Sequence, residues 1–190
     1  MDICSSCRKD WQNHIYRSSG HLGEKSFPIF SSIIYSSVAS KVLLASKEDG
    51  IKLADQLVSS SISHSLSFFQ KEIGSGYLVP IPSRIKASRR RGRRYVDSLI
   101  SNAGLTPLQL LIHKRAVRDQ STLHAQARAK NLAGAFGIDP TKSLLNEVPV
   151  IIVDDLVTTG STLNDAARAL NAAGFQVQGA ITACMAKPVR

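Results

Sequence analysis

The chain has 190 residues, 43% of them hydrophobic and 20% charged, which describes a soluble globular protein with room for one full domain and too few residues for two ordinary ones. No run approaches the roughly 18 apolar residues of a membrane span, and MDICSSCRKDW has neither the basic leader nor the apolar core of a signal peptide. With three cysteines and no export signal, no disulfide scaffold is expected and the cytoplasm is the expected compartment. The net charge of +10 favours polyanionic partners such as nucleic acid, nucleotides or pyrophosphate.

Residues 1–26 are polar, contain Cys4 and Cys7 and lack apolar periodicity, so an appendage is expected there. Pro28 marks the start of a domain running from 28 to 190. IFSSIIYS reads as a strand, and VASKVLLAS as a short helix or a strand continuation. From Gly50 onward, Ile51, Ala54, Leu57, Val58, Ile62 and Leu66 recur near helical spacing. GYLVPIP is a strand that stops at prolines, which cannot donate within a central ladder. Residues 88–103 read as helix and PLQLLIH as strand. The polar, arginine-rich stretch 114–131 is expected as a mobile loop followed by a short helix, with AGAFGI a short strand after it. VPVIIV shows no polar alternation, as in a strand buried on both faces of a parallel sheet. Leu163, Ala166, Ala167 and Leu170 then mark a helix, with Gly174 where a C-terminal cap belongs, and FQVQGAITACM closes as a last strand. Strands alternating with helices predict an α/β domain with a mostly parallel central sheet flanked by helices.

The chemistry is concentrated in VIIVDDLVTTGST, residues 150–162. Ligands of parallel α/β sheets bind beyond the carboxyl ends of the strands, and Asp154 and Asp155 are placed at such an end. The following turn leads into a helix N-terminus, whose free N–H groups and dipole favour a phosphate. Gly160 lets backbone approach an anion closely, and Thr158, Thr159, Ser161 and Thr162 add hydroxyl donors. The two acids cannot bind that phosphate, but they suit the hydroxyls of a sugar attached to it. The parts describe a pocket for a sugar 5-phosphate.

The same stretch resembles the phosphoribosyl pyrophosphate (PRPP) motif of type I phosphoribosyltransferases, and more of the chain resembles the ComF competence-protein family within them. VPIPSR, RRRGRRY, RDQSTLHAQARAKNLAGAF and CSSC each resemble an element of that family. The resemblance implies the type I phosphoribosyltransferase-like fold, PRPP as ligand, Mg²⁺ on its diphosphate, and chemistry at the anomeric carbon of ribose. It implies ribose hydroxyls on Asp154 and Asp155, a pyrophosphate contact at Arg84, and closure by Arg118 and Arg128 from the 114–131 segment. ComF proteins are associated with natural transformation, which adds single-stranded DNA and other competence proteins as expected partners.

Two departures qualify the likeness. Where the family's arginine–glycine element continues with Phe-Asn-Gln, this chain has Arg93, Arg94 and Tyr95. Arg84, Lys86, Arg89, Arg90, Arg91, Arg93 and Arg94 lie within eleven residues with few acids nearby in sequence. The run is either a solvated helix face or, at Arg89, Arg90, Arg91, Arg93 and Arg94, a nucleic-acid site to which Tyr95 adds one stacking surface. Second, zinc sites want four ligands, and Cys4 and Cys7 are followed by His14 and His21 rather than a second Cys pair. The segment is read as a degenerate finger, with a Cys₂His₂ zinc site as the alternative. Cys184 reads as a core cysteine.

Two functions follow from the same pocket. One is a PRPP-binding protein of the ComF type serving DNA uptake, and the other an active Mg²⁺-dependent phosphoribosyltransferase with an unidentified base or amine as acceptor.

Overall fold

The computed structural model describes residues 4–114, 134–145 and 147–186. Arg118 and Arg128, and the loop and helix expected around them, lie outside these residues.

A five-stranded sheet forms the centre, built from β1 (Tyr16–Leu22), β2 (Lys25–Ile34), β3 (Tyr77–Pro80), β6 (Pro149–Val157) and β7 (Gln176–Met185) in the order β1-β2-β7-β6-β3. β1 pairs antiparallel with β2, and all other neighbours are parallel. β4 (Leu111–His113) and β5 (Phe136–Ile138) form a separate antiparallel pair rather than joining the main sheet. β6 lies between β7 and β3, and its run from Val150 to Val153 is fully buried. That placement explains why it carries no polar alternation.

Helices cover both faces. One layer holds α2 (Ser37–Lys47), α3 (Lys52–Glu72) and α5 (Tyr95–Asn102), where Val42, Val58, Ile62, Phe69 and Leu99 pack on Ile33 and Val153. The other holds α6 (Ser161–Ala172), where Leu163 and Leu170 pack with Phe27, Phe136 and Ile152. Serines of α3 add polar contacts with the sheet: Ser65 Oγ shares a 2.7 Å hydrogen bond with Ser32 Oγ and donates to the Thr182 carbonyl at 2.9 Å. Small hydroxyl side chains let the helix approach closely and still find partners. At Gly179 an added Cβ would meet the Phe69 ring at 2.6 Å, so this approach needs glycine on β7 as well.

The stretch before residue 26 contributes directly to this domain. β1 is the edge strand of the sheet, and Trp11 is buried with its Nε1–H on Ser61 Oγ at 3.0 Å. β1 also touches the functional end of the molecule, because the His21 N–H donates to Asn164 Oδ1 on α6 at 2.8 Å. The extended strand keeps His14 and His21 apart: from Tyr16 to His21 alone is about 16 Å at ~3.3 Å per residue. A Cys₂His₂ site would have to bring both imidazoles within about 2 Å of one ion across that separation. Cys4 and Cys7 lie at and on the short helix α1 (Ser5–Asp10), with Cys4 exposed. Among the described residues no group of three or more His, Cys, Asp or Glu could hold a metal ion.

VASKVLLAS is helical: Ser36 caps α2 by accepting from the Ala39 N–H at 3.1 Å. The helix expected over 88–103 is two helices, α4 (Ile85–Arg91) and α5, broken at Gly92, whose φ of 66° ends α4 in the left-handed conformation. Gly174 follows α6 with φ 87°, and the Phe175 N–H returns to the Leu170 carbonyl at 3.1 Å.

Candidate functional site

The two acids lie inside β6 rather than beyond it, since the strand continues to Val157. They are nonetheless near its carboxyl end, and Asp154 is level with Thr182 of β7. Both are buried, at 8% and 7% exposure. Asp154 Oδ1 accepts the Asp155 backbone N–H at 2.9 Å. Burial first, and repulsion by Asp155 second, push the Asp154 carboxyl well above the usual carboxylate range. Asp155 Oδ2 accepts from Lys47 Nζ, at the end of α2, at 2.8 Å. Burial alone would push the Lys47 ammonium down, but attraction to Asp155 and Asp154 outweighs it and holds it above its ordinary value.

Thr158 and Thr159 follow the strand as an exposed turn, and Gly160 is the N-cap of α6 with φ 75°. Gly160 has no side chain to cap that helix end, and apart from the Ser161 N–H, which reaches Thr159 Oγ1 at 3.4 Å, the first-turn N–H groups are the donors a phosphate would use. Thr159 Oγ1 and Ser161 Oγ share a 2.8 Å hydrogen bond across the turn. A cavity of about 120 Å³ is lined by Thr158, Thr159 and Gly160 of the turn together with Ser18, Ser19 and Ile29. A larger cleft of about 400 Å³ is bounded by Trp11, His14, Tyr16, Ser36 and Ala39, at the opposite end of α2 from Lys47. It contains neither the acids nor the turn, whereas the smaller one takes in the turn but not Asp154 or Asp155.

An added Cβ at Gly160 meets nothing closer than Asn164 Oδ1 at 3.9 Å. The demand for glycine is therefore the positive φ and access to the backbone, not crowding. Gly160→Val should lower stability by about 1–2 kcal/mol through left-handed strain and weaken ribose 5-phosphate by more than about tenfold. Gly160→Asn, whose side chain tolerates that φ, should melt close to wild type. Thermal melts and titrations of the two variants check this, and unchanged ligand affinity in the valine variant would move the phosphate elsewhere.

Arg84 is the N-cap of α4 and half-buried. β3 neighbours β6, with Pro80 level with Val153, so the chain reaches Arg84 at the same edge as the acids, one strand over. The 134–136 segment, where the chain re-enters after the residues carrying Arg118 and Arg128, is tied to α6 by Asp165. Its carboxylate accepts the Gly134 and Phe136 N–H groups at 2.8 and 2.9 Å and the Arg168 Nε–H at 2.7 Å.

The arginine cluster is not a uniform basic face. Arg93 forms a two-pronged ion pair with buried Asp55 of α3 and donates to the Ser46 carbonyl. Arg90 and Arg91 share Glu48, and Arg94 bonds Gln109 beside Asp97. Arg89 and Lys86 are exposed. The compensating acids absent from the local sequence are supplied by the fold. Tyr95 is fully buried, its hydroxyl 2.7 Å from Ser46 Oγ and its ring beneath Lys47 and Arg93 at 5.3 and 5.2 Å, so it offers no stacking surface. Cys184 is buried in β7, where burial first and Asp155 second push its thiol up to about 12, as suits a core cysteine.

Lys47, Ser46 and Glu48 were invisible to motif reasoning. They sit at the end of an ordinary amphipathic helix, and their partners are 9 to 108 residues away.

A parallel sheet with an acid pair and an uncapped glycine turn at one strand's carboxyl end is the arrangement of the type I phosphoribosyltransferase-like folds. Residues 88–190 match the family model described as "Phosphoribosyl transferase domain", so the chain belongs to that family. Competence protein F of Haemophilus influenzae (strain ATCC 51907 / DSM 11121 / KW20 / Rd) is 31% identical over 107 residues, covering 52% of this chain and 45% of that protein. The match thus spans about half the length of the curated relative, and it supports the ComF branch. A crystal structure of Mycobacterium tuberculosis H37Rv orotate phosphoribosyltransferase in complex with Fe(III) dicitrate aligns with 93% of this chain and 79% of its own, at 12% identity and a TM-score of 0.40. No described helix is long and apolar enough to cross a membrane.

Proposed function

We propose that the protein binds PRPP or a related sugar 5-phosphate and, as a ComF-type phosphoribosyltransferase-fold protein, serves DNA uptake in competent cells. The observation that carries the ligand reading is the pairing of two buried acids with an uncapped glycine turn on consecutive parts of one strand–turn–helix unit. The phosphate takes the α6 N–H groups and the hydroxyls of Thr158, Thr159, Ser161 and Thr162. The ribose hydroxyls take Asp154 and Asp155, and Arg84 meets the diphosphate. The name of the Haemophilus relative supports the competence role.

An active transferase is the second reading, favoured by the family's description. Mg²⁺ keeps several waters and needs one or two carboxylates plus substrate phosphates. Asp154 and Asp155, with no third acid grouped beside them among the described residues, fit such an ion arriving on the diphosphate. When bound, it would neutralise charge developing on the departing pyrophosphate. Titration calorimetry with PRPP, with and without Mg²⁺, followed by assays for pyrophosphate release over candidate bases, separates a binder from an enzyme.

For single-stranded DNA the exposed cations of this run are Lys86, Arg89, Arg90 and Arg94, of which Arg94 is tied to Gln109 beside Asp97. Three phosphate contacts, from Lys86, Arg89 and Arg90, would give a log–log salt slope near −2, from roughly −0.7 per phosphate. Changing these three to glutamine should flatten that slope and leave PRPP affinity intact. Wild-type DNA binding by the triple variant at moderate salt would remove the nucleic-acid role from this face.

A further inference from the structure

Lys47 lies outside both the phosphate turn and the basic run, yet its ammonium is 2.8 Å from Asp155 Oδ2 and keeps 33% side-chain exposure. The helix end that carries it is held on both sides. Ser46 donates to Asp55 at 2.6 Å and bonds Tyr95, while Glu48 is bridged by Arg90 and Arg91. Arg91 and Arg93 are more enclosed, with their guanidinium groups already taken by Glu48 and Asp55. The stem of Lys47 is flexible and its head has three donors, so it can change partner without moving the helix.

We propose that Lys47 is the residue that makes this acid pair compatible with an anionic sugar: it neutralises Asp155 in the free protein and turns to the ligand's phosphate groups when sugar hydroxyls take the Asp155 oxygen. The proposal rests on the sugar-phosphate reading above. Two adjacent buried carboxylates would repel a phosphate ester, and a cation in contact with one of them cancels that charge. The exchange keeps every charged group paired: before binding the ammonium holds the carboxylate, and afterwards it holds phosphate while the carboxylate accepts hydroxyl hydrogens. Lys47 is on this account a specificity residue that selects phosphorylated over neutral sugars.

The test uses the full chain in EDTA with ribose 5-phosphate and PRPP as probes. Lys47→Gln keeps a donor at this position while losing the charge, and Lys47→Arg keeps the charge. Lys47→Gln should weaken PRPP by about tenfold, the worth of one charge-assisted hydrogen bond to its diphosphate, and ribose 5-phosphate, whose phosphate lies in the turn, by less. Lys47→Arg should stay within about threefold of wild type, because a point charge is what the site requires. Mg²⁺ should narrow the deficit for PRPP, which brings the ion on its diphosphate, and leave that for ribose 5-phosphate in place. Equal affinities in wild type and Lys47→Gln, or a loss that Lys47→Arg shares, would overturn the proposal and leave the ligand reading standing. Absence of binding by the wild type would overturn both.

Discussion

Replacing Arg93 with alanine should destabilise the protein by about 3 kcal/mol, because it leaves Asp55 buried without its cation. Asp55 keeps only 9% side-chain exposure, and the same guanidinium satisfies the Ser46 carbonyl and lies over Tyr95. For a chain of this length the midpoint of thermal melting should fall by roughly 6–12 °C. Arg90 makes an ion pair from a side chain that is 70% exposed, so Arg90→Ala should shift stability by no more than about 0.5 kcal/mol. Two neighbouring arginines of one basic run would thus differ several-fold in their effect. Equal melting of the two variants would show that the Asp55 pair does not hold α3 and α5 together. The contrast also decides how nucleic-acid binding can be probed, since neutralising Arg93 would report folding rather than contact with DNA.

Asp155→Asn should weaken PRPP by about ten- to a hundredfold, the cost of one charge-assisted hydrogen bond from a ribose hydroxyl. Asp154→Asn should cost less, because burial and Asp155 hold the Asp154 carboxyl above the usual carboxylate range and asparagine resembles a protonated acid in shape. The two variants should also differ in stability. A carboxyl raised by folding binds its proton more tightly in the folded chain, so its contribution favours folding at low pH. That contribution is lost as pH rises from the ordinary aspartate range through the raised value. Asp154→Asn removes the penalty and should melt above wild type near about pH 8, with the gap closing towards about pH 4. A stabilised protein with a weakened ligand is the mark of an acid retained for binding rather than for folding. A lower melting point at every pH would assign Asp154 a structural role instead.

The strand–turn–helix unit was legible because its chemistry is consecutive. Thirteen residues contain the buried strand, the acids, the glycine and the first two residues of α6, and no distant partner is needed to recognise them. What required the fold was everything joined across the chain. Lys47 meets Asp155 over 108 positions, and Arg93 meets Asp55 over 38. A basic run therefore looked uncompensated when its acids were simply elsewhere. β1 was obscured for a different reason. As an edge strand it buries little, and its inner face of Tyr16, Ser18, Gly20 and Leu22 has only two large apolar side chains, separated by serine and glycine, so its hydrophobic signal is weak. The break at Gly92 was written in the sequence, but a glycine inside a charged helical run reads as a tolerated weakness until its φ is known.

The central claim is that the acid pair and the Gly160 turn form a sugar 5-phosphate site. Calorimetric titration of the intact protein with ribose 5-phosphate and PRPP addresses it most directly, with Asp155→Asn and Gly160→Val alongside. The account predicts saturable binding of one ligand per chain, weakened by about tenfold or more in each variant. Absence of binding by wild type, or affinity untouched by both substitutions, would contradict it.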